Sequence, residues 1–129
     1  MEPATRQPCE IKGLPPDLER IYKQVIEAHN SQLDHLVLVG LRMLVEGVCD
    51  DRGIPRTDAY GDVPLPVRTN QLAPLLPEWF RKYLVQVNTA VEFGNDAAHK
   101  RTIPALKEIE ASVWFIEQLL GHLYGRATE

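Results

Sequence analysis

The sequence predicts an all-α fold, an up-down helical bundle of four to five helices. Three observations predict it. Apolar residues recur at spacings of three and four through long windows, the period of a helix that buries one face. No segment alternates apolar and polar residues over a strand's length. The ten prolines, at 3, 8, 15, 16, 55, 64, 66, 74, 77 and 104, leave proline-free windows at 17–54, 78–103 and 105–129. Proline inside a helix removes a hydrogen bond and clashes with the preceding turn, so these windows are where helices fit. Short connections make neighbouring helices antiparallel.

Residues 1–15 are expected to be a flexible lead-in, 16–125 a single domain, and 126–129 a tail. The first helix runs from about Pro16 to Ala28, with the stripe Leu18, Ile21, Tyr22, Val25 and Ile26. Proline suits its first turn, and Asp17 and Glu19 suit its positive end. Ser31 is the expected N-cap of the second helix, with Asp34 three residues on as a weak capping box. That helix is apolar nearly all round, from Leu33 to Val48, which marks it as central. It ends near Asp50, with Gly53 just beyond. Residues 51–68, rich in Pro, Gly and Asp, read as a surface loop. Thr69 to Leu76 is expected to form one helical turn. The third helix opens at Pro77 and ends at Gly94. The last runs from about Pro104 to Tyr124, with Thr102 as N-cap and Gly125 as its end. Trp79, Phe80, Trp114 and Phe115 are assigned to the core, and Cys49 to the core or its boundary.

Composition narrows the function classes. The chain has 129 residues, 44% of them hydrophobic and 25% charged, which is ordinary globular usage. That is one domain at roughly 100–200 residues each. Its net charge of −4 excludes a general nucleic-acid coat. The charge is uneven: residues 1–50 hold 5 basic and 8 acidic side chains, residues 77–129 hold 6 and 7. A small anion site therefore remains compatible with the second half. There is no run of about 18 apolar residues to span a membrane. The first thirteen residues hold no apolar stretch for a signal peptide, and the two cysteines stand 40 positions apart. Both point to a cytoplasmic protein with reduced thiols. His29, His35 and His122 pair with no cysteine at metal-ligand spacing, so neither metal nor cofactor is expected.

The string Phe93-Gly94-Asn95-Asp96-Ala97-Ala98-His99-Lys100-Arg101 is polar and basic between two apolar helices. Two readings fit it. Gly94 and Asn95 cap helical turns; or Asn95 and His99, at i and i+4, share a face on which His99 acts as a general base. Lys100 and Arg101 then stand ready to bind an anion. Arg42 and Glu46 are the charges within the second helix, also at i and i+4. They form either a solvent-facing ion pair or a partly buried pair that orients a polar group or defines an interface.

Three strings resemble a prokaryotic helical family, the domain of unknown function 4145, a branch of the HEPN (higher eukaryotes and prokaryotes nucleotide-binding) superfamily. Leu41 to Gly53 is similar to its Arg-x-x-x-Glu helix with an acidic end and a glycine. Gly94-Asn95-Asp96-Ala97-Ala98-His99 resembles its Gly-Asn-x-x-Ala-His signature. Leu119-Leu120-Gly121-His122-Leu123-Tyr124 resembles its closing segment. The resemblance implies a bundle that pairs as a homodimer, with polar motifs facing across the interface. Many such domains are metal-independent ribonucleases with an Arg four to six residues before a His. Others are non-catalytic partners of a nuclease or nucleotidyltransferase in toxin–antitoxin and phage-defence systems. Here Gly94 stands where the catalytic Arg would be, and no other Arg precedes a His at that spacing. The expectation is a non-catalytic homodimeric interaction module. The alternatives are an endoribonuclease using His99, Asn95 and Arg42 or Arg101, and a nucleotide- or RNA-binding module without turnover.

Overall fold

The structure, a computed structural model, describes residues 5–125. The first four residues of the expected lead-in and the expected tail at 126–129 lie outside the described residues. The described chain is mostly helical, with one two-stranded sheet. Four long helices carry it: α1 (Pro16–Asn30), α2 (Asp34–Asp51), α5 (Leu84–His99) and α6 (Leu106–Tyr124). Between α2 and α5 lie β1 (Thr57–Asp58), β2 (Gly61–Asp62), α3 (Leu65–Asn70), a 3-10 turn (Ala73–Leu75) and α4 (Glu78–Arg81).

Helix α2 is central, as its all-round apolar pattern predicts. It buries Val37, Leu38, Leu41, Leu44, Val45, Val48 and Cys49. Three glycines set how closely its neighbours approach. A Cβ on Gly40 would stand 2.5 Å from Val25 Cγ2, and one on Gly47 would overlap the Leu18 side chain. Gly40 and Gly47 are seven residues apart, as are Val25 and Leu18, so two α1 side chains seat in two α2 notches and the helices run antiparallel. On α2's other flank, a Cβ on Gly94 of α5 would stand 2.5 Å from the Leu38 carbonyl oxygen and 2.8 Å from Arg42 Cβ. The Arg101 carbonyl lies 3.3 Å from His35 Nε2, so α5 is antiparallel to α2 as well. Helix α6 returns along α5, with the Tyr83 and Phe115 ring centroids 5.7 Å apart. It finishes beside α2's C-terminus, where Tyr124 Oη donates to Asp51 at 2.5 Å. The four long helices thus alternate in direction.

Several boundaries differ from the expected ones. Gly94 is buried inside α5 and does not end it. A glycine that stops a helix and one that lets a neighbour approach look alike in sequence, and only the α2 contact separates them. The helix stops at His99, followed by Arg101 at φ 60°. Ser31 is not the N-cap of α2: it is the C-cap of α1, Gln32 turns at φ 60°, and α2 begins at Asp34. Thr102 is not a cap either, since α6 begins at Leu106 with no side-chain cap. The helix expected from Pro77 is the single turn α4, broken from α5 at Lys82 and Tyr83. Trp79 is 61% and Trp114 48% exposed, so the aromatic core assignment holds for Phe80 and only partly for Phe115. Periodicity places a residue on a face but does not say whether another element covers that face.

The 51–68 segment is built, with β1 and β2 paired antiparallel (Thr57↔Asp62, Asp58↔Gly61) and α3 beginning within it. Arg68 of α3 is buried, bonding Asp50 Oδ1 at 2.7 Å and the Ile54 carbonyl at 2.8 Å. Arg56 pairs with the same carboxylate. The hydrogen bond from Arg56, joined by Arg68, holds Asp50 down to about 2.

Gly94→Ala should destabilise the fold by about 1–3 kcal/mol, because the new methyl meets backbone that cannot rotate aside. Gly47→Ala should cost less, since the flexible end of Leu18 can move and Ala gains about 1 kcal/mol of helix propensity; equal urea midpoints would refute the close α2–α5 crossing. Asp50→Asn should be less stable than the parent at neutral pH. Because the folded carboxyl titrates below its unfolded value, the parent's advantage is complete above about pH 5 and fades as pH falls to about 2. A gap independent of pH in thermal melts would refute the Arg56–Asp50–Arg68 anchor.

Candidate functional site

The helix α2–α5 crossing brings together the two strings that the sequence singles out. Gly94 lies directly on Arg42, so the Gly-Asn string and the Arg-x-x-x-Glu string meet in space. Beside that crossing, α2, α3 and α5 bound a groove of about 580 Å3. Its polar lining is Arg42, Asn70, Asn88, Thr89, Glu92 and Asn95, with Leu65, Val85 and Val91 among its apolar floor and wall. Asn88, Glu92 and Asn95 fall at i, i+4 and i+7 on α5 and so share one face. Asn88 Nδ2 donates to Asn70 Oδ1 at 3.1 Å. Among the described residues Asn88 Oδ1 is buried with no hydrogen-bond partner.

Arg42 and Glu46 sit 3.6 Å apart, N to O, both about one-third exposed. The pair is thus partly buried, with Arg42 also edging the groove. Asn95 lines it with Arg42. His99, one turn further on α5, is exposed and is not part of the lining. Lys100 and Arg101 are exposed just past the helix end, and Lys100 Nζ lies 3.4 Å from Asp96. The structure thus joins Arg42, Glu46 and Asn95 and leaves His99, Lys100 and Arg101 at the helix tip. A guanidinium, carboxamides and one carboxylate can read the donors and acceptors of a polar ligand. The groove lining contains no imidazole to take a proton from it.

Sequence reasoning missed Asn70, Asn88 and Glu92. The i, i+4, i+7 spacing of Asn88, Glu92 and Asn95 was a usable signal, whereas Asn70 depends on where α3 docks. Cys49 is buried as expected, and burial pushes its thiol up to about 11. It is protonated at neutral pH and behaves as a small core residue. Among the described residues no three or more His, Cys, Asp or Glu side chains are placed to hold a metal ion, and no helix is long and apolar enough to cross a membrane.

No family model matches the chain, and neither a curated protein nor a solved structure does.

The Arg42–Glu46 pair, about one-third exposed and 3.6 Å apart, should add little to stability. Arg42→Ala keeps the Cβ that packs on Gly94, so its denaturant midpoint should correspond to a loss below about 1 kcal/mol. A loss above about 2 kcal/mol would show that Arg42 holds the crossing together and is not available to a ligand.

Proposed function

We propose that the chain is a non-catalytic, HEPN-like helical interaction module that forms a homodimer and acts with a partner, such as a nuclease or nucleotidyltransferase, in a prokaryotic defence or toxin–antitoxin type system. One observation carries the reading. The outer face of α2 presents Leu36 and Met43, 60% and 47% exposed, with Val39 between them at i+3. With Ile21 of α1 and Leu33 they line an apolar groove of about 450 Å3. Contiguous exposed apolar side chains of this kind mark contact surfaces. The adjoining charges suit a second copy. If a two-fold axis crosses α2 midway between Arg42 and Glu46, the Arg42 of each copy faces the Glu46 of the other, which makes the surface self-complementary.

The meeting of Gly94 with Arg42 supports the family reading, since it unites the two strings that carry the resemblance. The position of His99 supports the absence of turnover. A ribonuclease needs a cation against the charge that develops on phosphorus, and the groove that holds Arg42 does not include His99. A second reading, nucleotide or RNA binding without turnover, is favoured by the Arg42 and asparagine lining of that groove.

Light scattering on a sizing column should give twice the mass of the chain, and Leu36→Glu should return the monomer. A wild-type monomer at tens of micromolar would overturn the dimer. Incubation with transfer RNA and total RNA in chelator should leave both intact. Cleavage that His99→Ala abolishes would overturn the non-catalytic reading and make His99 the general base.

A further inference from the structure

The segment before α1 is read by the bundle as a ligand is read. Residues 6–12, expected to belong to a flexible lead-in, lie extended across α1 and α6. The Arg6 N–H donates to Asn30 Oδ1 at 2.8 Å, and Asn30 Nδ2 donates to the Arg6 carbonyl at 2.8 Å. One side-chain amide thus takes both main-chain groups of one residue, as a neighbouring strand would. The Arg6 guanidinium pairs with Glu117 of α6, whose side chain is only 4% exposed. Three residues on, the Cys9 N–H donates to Tyr22 Oη at 2.7 Å, and Tyr22 Oη donates to Glu117 Oε2 at 2.5 Å. Further along, the Lys12 N–H donates to the Gly125 carbonyl at 2.9 Å.

These contacts divide into two kinds. Asn30 and Tyr22 read main chain, which any extended segment offers. Glu117 reads side chains, the Arg6 guanidinium and, at 3.6 Å, the Cys9 thiol, and its burial makes the cation matter most: a buried carboxylate without a cation or a full set of donors is costly. Together they specify an extended peptide with an arginine three residues before a free main-chain N–H. The segment is joined to α1 through Gly13, at φ 70°, the buried Leu14 and the pair Pro15 and Pro16, so residues 6–9 can lift while Ile11 and Leu14 stay packed on the core.

We propose that the α1–α6 groove is a binding site for an extended, arginine-bearing segment of a partner protein, which residues 6–9 occupy in cis and from which they must be displaced. The covalent tether gives the cis segment an effective concentration in the millimolar range, so a partner competes well only when the strap is weakened. The strap thereby sets a threshold for the partner. This site lies on the opposite flank of α1 from the apolar α2 face and does not rest on the dimer.

The test uses the full chain and, as probe, a labelled eight-residue peptide with the sequence of residues 5–12 in reducing buffer. Arg6→Ala should bind the peptide about tenfold or more tightly than wild type, because the cis competitor keeps its main-chain contacts but loses its ion pair and is weakened. A peptide with alanine in place of its arginine should bind about tenfold or more weakly, since a charge-assisted hydrogen bond is removed. Should Arg6→Ala fail to fold, Arg6→Gln, which keeps a hydrogen-bond donor but removes the charge paired with Glu117, carries the same comparison. Hydrogen exchange on the wild type supplies a second reading: the amides of Arg6 and Cys9 should exchange faster than those of α2, through an opening that leaves the bundle protected. Three results would overturn the proposal. One is no peptide binding to a folded strap variant. Another is equal binding of the alanine peptide. The third is a strap-dependent dimer that survives Leu36→Glu, which would make a second copy's segment the occupant.

Discussion

Everything else in this fold is arranged around how closely helices can approach α2. Two α1 side chains enter notches at Gly40 and Gly47, and on the other flank α5 lays Gly94 against the α2 backbone. Close approach at a glycine replaces a side chain by the backbone of the neighbouring helix, so the dispersion contacts there are many and leave little slack. The cost is the poor helix propensity of glycine, roughly 1 kcal/mol each, and it is met only because the apolar faces on either side are fully packed. Leu38, Leu41, Leu44 and Val48 are buried on α2 between these contacts. Shifting α5 along α2 by one turn would remove Gly94 from the Leu38 carbonyl and set a larger side chain there. The register of the bundle is thus fixed by a steric condition more than by any polar bond.

That condition also explains how much of the site was legible. The helical stripes of Leu18 to Ile26 and Ile109 to Leu120 depend on local period alone, and α1 and α6 lie where the period places them. Gly94 carries two meanings that local sequence does not separate, and the wrong one breaks α5 where it is in fact continuous. Once α5 runs on to His99, Asn95 turns toward the α2–α3 groove while His99 ends at the tip. The expectation that Asn95 and His99 share a face survives as helix geometry, but the surroundings of the two residues differ. Trp79 and Trp114 fail for a related reason: an aromatic residue in an apolar helix reads as core, yet among the described residues the two side chains stay 61% and 48% exposed. The groove's Asn70 could not be found at all, because its place depends on how α3 docks through Arg68.

Two buried charges fasten the parts of the chain that the helices do not hold. Arg68 ties α3 and the hairpin to the end of α2 through Asp50 and Ile54. Glu117 ties the segment before α1 to α6 through Arg6 and Tyr22. Burial, with the Glu117 hydrogen bond, raises the Tyr22 hydroxyl well above its ordinary value, so it stays protonated as the donor that Glu117 needs. In both places a single buried ion reaches a segment distant in sequence. A buried ion pair adds little net stability over an apolar replacement, but losing one partner is costly. Such pairs therefore select one placement of a segment against many, which hydrophobic packing of a short polar stretch does poorly.

The two anchors differ in what lies behind them, and that difference bears on function. Behind Arg68 is the groove wall: α3 supplies Leu65 and Asn70 beside Arg42 and Asn95, so the anchor keeps a polar groove open. Behind Glu117 is the segment itself, and among the described residues the cation that meets the buried carboxylate is Arg6 of that segment. An anchor that builds a wall gains from permanence, because any opening destroys the groove. An anchor whose cation belongs to a short extended segment carries the same chemistry whether the segment is its own or another's. The bundle is rigid where glycines set its register, and its two polar surfaces are attached to it by contacts of different exchangeability. The one that can be exchanged is the one an outside partner can compete for.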